Sequence, residues 1–254
     1  MRELDAVAEI LRGARSMLFI TGAGVSADSG LPTYRGVGGL YEHDDAEEGI
    51  PIEVAVSGPM FRARPEVTWK HIINVERGCR GALPNKAHAV IARLEASDRR
   101  VWTLTQNVDG LHRKAGSKNL IEIHGDIHRL LCLGCGDRRA VTSYDGIGPA
   151  LPPRCDRCGG IIRPEVVLFE EMLPLDAVDL LQNELQRGFD AVVSIGTTSG
   201  FPYIAGPVIE AAEAGVPTIE INPGATTVSA LVDHRLRMRA AEAMAVLEAK
   251  IFRS

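Results

Sequence analysis

The sequence predicts an α/β fold in which a parallel sheet, covered by helices on both faces, carries a smaller inserted domain. Three observations lead there. Short continuous apolar runs alternate with segments of helical periodicity, and strands apolar on both sides belong to a sheet buried on both faces. The first of these runs, SMLFITGAG (16–24), ends in a glycine turn of the kind found in Rossmann-like domains. Two C-x-x-C pairs, Cys132/Cys135 and Cys155/Cys158, then interrupt the alternation and mark a separate small unit.

The elements follow in order. Leu4–Leu11 has helical spacing of its apolar positions and leads into the strand at 16–21. From Leu31 to Arg80 glycine, proline and acid dominate early and periodicity is weak, which reads as a loop followed by a helical insertion. NKAHAVIARLEA (85–96) is helical, and VWTLTQ (101–106) and NLIEIHG (119–125) are strands. After the cysteine-bearing stretch Arg129–Ile162 the alternation resumes with the strand EVVLF (165–169), a helix near Leu175–Leu185, the strand DAVVSIGTT (190–198), a helix near Tyr203–Ala214, the strand PTIEIN (217–222) and a last helix at Ala240–Ile251. The expected division is a Rossmann-like domain of residues 1–30, 84–127 and 164–254, a loop and helical insertion at 31–83, and a zinc-ribbon insertion at 128–163.

Bulk properties exclude some functions. The 254 residues can bury a sizeable core. A net charge of −5, with no block of Lys and Arg interleaved with aromatics, argues against nucleic acid as the main partner. No stretch has the length of a membrane span, and the N-terminal segment mixes charges into an amphipathic pattern unlike a signal peptide. A cytoplasmic location is therefore expected, with five cysteines kept reduced.

GAGVSA (22–27) fits the G-x-G-x-x-G/A pattern directly after a strand, where backbone can approach a pyrophosphate. A glycine turn needed only for chain reversal is the other reading. A nicotinamide dehydrogenase would place an acid at the end of a second strand about 20 residues on; here Glu42 and Asp44 occupy that interval with no apolar strand before them. If a dinucleotide binds, another segment must read its ribose. TQNVDGLHRKAG (105–116) packs amide, acid and imidazole groups behind a buried strand, which points to a site rather than a core.

The two cysteine pairs stand 19 residues apart. Each curls two thiolates toward one point, and together they complete a tetrahedral S₄ shell suited to one structural zinc ion with no open position. Redox-active pairs or an iron–sulfur cluster are the competing readings. Cys79 lies outside both pairs and reads as a partly buried residue.

Along nearly its whole length the sequence resembles the bacterial-type sirtuins, NAD-dependent protein-lysine deacylases. The likeness is carried by GAGVSADSGLPTYRG (22–36), PNKAH (84–88), TQNVDGLHRKAGS (105–117), EIHG (122–125), the two C-x-x-C pairs, PEVVLFEEMLP (164–174), GTTSG (196–200) and INPG (221–224), in family order. The resemblance implies NAD as co-substrate and His124 as general base, with Asn107 beside it in catalysis. It implies that Gln106, Asn107 and Asp109 contact the nicotinamide and its ribose. Gly22, Ala23, Gly24 and Ala27 would meet the phosphates and adjoining ribose, and Thr33, Tyr34 and Arg35 would lie in a lid spanning Pro32–Tyr41. Gly196, Thr197, Thr198, Asn222 and Ala241 would serve the adenosine half, supplying the missing ribose reader. His88 and His112 are expected to pack or hydrogen-bond. The implied reaction transfers the acyl group to ADP-ribose and releases nicotinamide; mono-ADP-ribosyl transfer from the same NAD site stays open, and a nucleotide sensor or zinc-ribbon module without turnover is opposed by the retained polar residues.

Three departures stand out. Tyr34 replaces the usual Phe, and Glu170 replaces the glycine of the common F-G-E stretch. Val167 and Phe169 match the acyl-lysine channel. Ile72 and Val75 align where a subgroup acting on acidic acyl chains has Tyr and Arg; without that cation a buried carboxylate lacks a partner. An apolar channel for acetyl or longer aliphatic groups is expected, unless Ile72 and Val75 simply fill the core of their helix.

Overall fold

A computed structural model describes residues 2–32, 49–148 and 150–252. In chain order the first elements are α1 (Arg2–Gly13), β1 (Ser16–Thr21), α2 (Ala23–Ser26) and a 3₁₀ turn at Ala27–Ser29. Three helices follow, α3 (Ile52–Ala55), α4 (Gly58–Ala63) and α5 (Pro65–Cys79), then α6 (Lys86–Glu95), β2 (Arg100–Thr105), α7 (Leu111–Lys114) and β3 (Leu120–Glu122). A small antiparallel set comprises β4 (Gly125–Cys132), β5 (Arg138–Ala140) and β6 (Ile162–Val166). The chain closes with α8 (Leu175–Gln186), β7 (Ala191–Ile195), α9 (Pro202–Glu213), β8 (Thr218–Ile221), β9 (His234–Leu236) and α10 (Ala240–Ile251).

The main sheet has the order β3-β2-β1-β7-β8-β9 and every pairing in it is parallel. Strand β1 is its centre, and its side chains alternate between two cores. Met17 and Phe19 join the cluster built with Val7, Leu11, Ile91, Met244 and Leu247 of α1, α6 and α10. Leu18 and Ile20 join the opposite cluster, with Leu181, Ile204 and Val208 of α8 and α9. Each such buried side chain contributes roughly 1.5–3 kcal/mol, which is why the sheet tolerates no polar face. From β1 the chain winds one way to β2 and β3 and the other way to β7 and beyond. The reversal opens a crevice at the carboxyl ends of β1, β2 and β7, where ligands bind in open α/β sheets.

The second unit packs the three-stranded sheet, order β5-β4-β6, against α4 and α5. Trp69 is fully buried there and donates its indole N–H to the Ile162 carbonyl at 2.9 Å, pinning α5 to β6. Among the described residues no helix is long and apolar enough to cross a membrane.

The structure differs from the sequence expectation in three places. EVVLF does not add to the parallel sheet: β6 ends at Val166 and pairs antiparallel with β4, because an apolar run shows that a strand is buried but not which partner buries it. The expected divisions at 127/128 and 163/164 fall inside β4 and β6, since the ladder that carries the cysteines starts at Gly125 and ends at Val166. Strand β9, only His234–Leu236, carries no apolar run that would mark it.

Candidate active site at the carboxyl ends of the strands

The loops after β1 and β7 are pressed together by glycine. A Cβ on Gly24 would lie 2.7 Å from the Gly196 carbonyl oxygen, and one on Gly196, at φ +59°, would lie 2.4 Å from the Val25 nitrogen. Only glycines allow this approach, and it is locked by the Gly24 N–H donating to the Gly196 carbonyl at 2.8 Å. Asn85 caps α6 and also donates its amide to the Val25 carbonyl at 2.8 Å and to Ser29 Oγ at 2.9 Å, which fixes the turn from outside.

The loop after β2 delivers the polar cluster. Asn107 donates to the Gly22 carbonyl at 3.0 Å and to Ser26 Oγ at 3.1 Å. Ser26 Oγ in turn donates to Asp109 Oδ2 at 2.7 Å, while Asp109 Oδ1 accepts from the Leu111 N–H at 2.9 Å. All three side chains are buried. Burial raises the Asp109 pKa above the usual carboxylate range, and the bonds from Leu111 and Ser26 work against that rise. Asn107, Asp109, Ser26, Ala23, Val75 and Cys79 are among the residues that line a cavity beside the glycine turn. Burial pushes the Cys79 thiol up to about 12, so it stays an unreactive thiol.

His124 stands just past β3. Gly125 next to it, at φ +83°, lies so close to β6 that a Cβ would overlap the Glu165 carbonyl; the imidazole is thereby held at the junction of the two units. The ring nitrogen Nδ1 is 3.0 Å from the Gln106 carbonyl oxygen, which can only accept, so Nδ1 carries the proton and Nε2 the lone pair. Burial depresses the His124 pKa below its ordinary value, opposed by the bond to Gln106. The Gln106 side chain donates to Thr197 Oγ1 at 2.8 Å, linking the loops after β2 and β7.

The remaining expected residues are placed as follows. Asn222, after β8, donates to the Thr197 carbonyl at 3.0 Å and accepts from Gly224; Thr198 is exposed beside it. The Ala241 N–H donates to Asp28 Oδ2 at 2.9 Å, which brings the start of α10 to the 3₁₀ turn that begins at Ala27. The Val167 N–H donates to the His124 carbonyl at 2.9 Å, which places Val167 at the seam between the units, and Phe169 pairs its backbone with Val56 and Gly58 at α3 and α4 of the insertion. Val75 lines the cavity, but Ile72 is buried in the small-unit core with Trp69 and Leu130 and is not part of that wall. Thr33, Tyr34, Arg35 and the rest of the expected lid beyond Pro32 lie outside the described residues. His88 and His112 are buried with ring centroids 4.7 Å apart, and His112 Nε2 meets Thr21 Oγ1 at 3.0 Å.

The four cysteine sulfurs lie within 4.8 Å of one another, with Cys132 and Cys158 at 3.4 Å and Cys135 and Cys155 at 3.9 Å. A tetrahedral zinc–thiolate shell with bonds near 2.3 Å has sulfurs about 3.8 Å apart, so the set fits. Backbone N–H groups of Gly134 and Gly160 point at Cys132 and Cys158, as charged sulfurs require. The four cysteines are placed to bind one zinc ion, and a shell filled by protein leaves it a structural role.

The model of the Sir2 family matches residues 22–201. The chain belongs to the Sir2 family. Among curated Sir2 relatives, NAD-dependent protein deacylase 2 of Pseudomonas aeruginosa is 50% identical over 98% of both chains, and the NAD-dependent protein deacylase of Aeropyrum pernix is 40% identical over 92% of both. A solved Sir2 homologue in complex with NAD superposes with a TM-score of 0.86 at 34% identity, covering 97% of this chain and 93% of that one.

Two features of this Sir2 chain were not found by sequence reasoning. Ser26, although inside the glycine motif, is the bridge between Asn107 and Asp109. Phe201 and Tyr203 stand against His124, with Tyr203 Oη 2.7 Å from Nε2. Glu170, singled out in the sequence as a departure, adopts φ +64°, a conformation that glycine takes without strain.

Proposed function

We propose that this protein is an NAD-dependent protein-lysine deacylase that transfers the acyl group of an acyl-lysine to ADP-ribose and releases nicotinamide. The observation that carries the reading is the orientation of His124: its proton is fixed on Nδ1 by the Gln106 carbonyl, leaving a basic Nε2 at the carboxyl end of β3, while the loop after the neighbouring strand β2 carries Asn107 and Asp109 of the buried network. The relatives' names and the NAD complex of a similar structure support it.

In this reading the glycine turn 22–24 and the Gly196–Thr197 loop let backbone approach the phosphates, with Ala23, Ala27, Thr198, Asn222 and Ala241 completing the nucleotide's surroundings. Asn107 and Asp109 orient the nicotinamide ribose; their buried hydrogen bonds hold them in one geometry before substrate arrives, which is the entropic part of catalysis. Gln106 contributes its carbonyl to His124. When the acyl oxygen has displaced nicotinamide at the ribose carbon, His124 accepts the proton of a ribose hydroxyl so that its oxygen can attack the acyl carbon. Thr33, Tyr34 and Arg35 are assigned to the cofactor loop.

Val167 and Phe169 are proposed to wall the acyl-lysine, and Val75 the inner cavity. Neither Ile72 nor Val75 brings a cation, so acetyl and longer aliphatic groups are the proposed substrates. The reduced cysteines fit a cytoplasmic location. The test is a panel of lysine peptides differing only in acyl group, incubated with NAD and read by mass spectrometry. Release of O-acyl-ADP-ribose, faster for acetyl or aliphatic than for succinyl peptides, is expected. A protein gaining ADP-ribose with the lysine still acylated would replace the reading with ADP-ribosyl transfer, and equal turnover of succinyl peptide would reject the apolar channel.

A further inference from the structure

The lone pair at Nε2 of His124 does not face open solvent. Tyr203, in the first turn of α9, places its hydroxyl 2.7 Å away. Because Nδ1 holds the imidazole proton for the Gln106 carbonyl, Nε2 must accept, and the phenol must donate. That fixes the single hydroxyl hydrogen of Tyr203 on the line to His124 and turns the lone pairs of Oη outward; among the described residues the hydroxyl makes no second hydrogen bond.

The arrangement is built rather than incidental. The Tyr203 ring stacks on Phe201, centroids 5.4 Å apart with an interplanar angle of 13°, and meets the imidazole edge-on at 82°. Phe201 also meets the imidazole edge-on at 6.1 Å. The turn that delivers both aromatics is held by the Ser199 N–H donating to Thr197 Oγ1, which itself accepts from Gln106, and Ser199 sits at φ +53°, an uncommon conformation for a non-glycine residue. The same Gln106 thus orients the imidazole through its carbonyl and the tyrosine-bearing turn through its amide.

We propose that Tyr203 is a catalytic proton relay between the ribose hydroxyl and His124. The ribose O–H bonds to Oη; as its proton passes to Oη, the Oη–H bond breaks and that proton passes to Nε2. The ribose oxygen is left with the electron pair that attacks the acyl carbon, the phenol is regenerated neutral, and the imidazole ends as imidazolium. Burial pushes the Tyr203 hydroxyl up to about 12, so the phenol keeps its proton at working pH and can hand it on without being lost as phenolate. The proposal rests on His124 being the terminal base.

The test uses the purified full chain with NAD and an acetyl-lysine peptide, comparing wild type, Tyr203→Phe and His124→Ala. The relay acts after nicotinamide has left. Tyr203→Phe is therefore expected to lower kcat for O-acetyl-ADP-ribose by about tenfold or more, with the KM for NAD and peptide within about twofold of wild type. Exchange of labelled nicotinamide into NAD should fall far less than turnover. The proton inventory of turnover, measured in mixtures of light and heavy water, should be curved in wild type and linear in Tyr203→Phe. Unchanged or increased turnover in Tyr203→Phe would overturn the relay and make the phenol a plug that substrate displaces; an equal fall in exchange and turnover would make it merely structural and overturn the relay as well. Wild-type turnover in His124→Ala would instead remove the base, and with it the reading on which the relay stands.

Discussion

The Nδ1 atom of His124 lies 3.0 Å from the carbonyl oxygen of Gln106. One backbone group therefore decides which imidazole nitrogen is basic, and burial sets how basic it is. The neutral ring is the active form, so kcat/KM is expected to fall as pH drops through an apparent pKa below the ordinary value of about 6.5. A pH profile with peptide and NAD checks this; an acid limb above that value would contradict the burial argument. His124→Ala is expected to cost about 10²-fold or more in turnover.

Ser26 joins Asn107 to Asp109. Ser26→Ala leaves a buried carboxylate and a buried amide each short of a partner, which costs about 1–3 kcal/mol per group. Lower stability in urea unfolding and a higher KM for NAD are expected together. Loss of stability with an unchanged KM would separate this network from the cofactor.

His88 and His112 are buried and neutral, and burial lowers their pKa values to about 4 and about 3. The unfolded chain binds their protons below about 6.5 while the folded chain does not. Their contribution to stability is complete above that pH, declines with a slope of one proton per histidine as pH falls, and stops declining only once each folded pKa is reached. Urea unfolding between pH 7.5 and pH 5 should show this slope, and a His88→Gln variant should show less of it. An unchanged slope would mean that His88 is not the neutral group.

The cysteine cluster ties together β4, β5 and β6 through a shell whose metal supplies folding energy. Chelation, or Cys135→Ser, is expected to lower the Tm and to expose Trp69 in the neighbouring core, seen as a red shift of tryptophan emission. Retained Tm after complete zinc removal would contradict a structural role.

Glu170 holds φ +64° on an exposed turn after Phe169. Replacing it with glycine removes the steric penalty of a Cβ there, and Glu170→Gly is expected to stabilise the protein by about 1 kcal/mol. Thermal unfolding checks the sign; a destabilised variant would show that the carboxylate makes a favourable interaction that outweighs the strain.

Much of this architecture could be read from residues alone. Continuous apolar runs located β1, β2, β7 and β8, because a strand buried on both faces has nowhere to put polar groups. The C-x-x-C spacing gave the metal cluster, since its geometry is local. Partners distant in sequence were not legible. Tyr203 reads as one more position at the start of a helix, and only the fold brings it to His124, 79 positions earlier. Ile72 aligned with a channel residue, yet its helix turns it into the Trp69 core, because helical periodicity records that a face is buried without saying against what.

The most direct measurement is a single-turnover reaction with purified protein, NAD and an acetyl-lysine peptide, with all products quantified. Equal amounts of free lysine peptide, nicotinamide and O-acetyl-ADP-ribose are expected from wild type, and the last formed about 10²-fold or more slowly by His124→Ala. Deacetylated peptide formed while NAD stays intact would contradict the central claim that breaking the dinucleotide is what removes the acyl group.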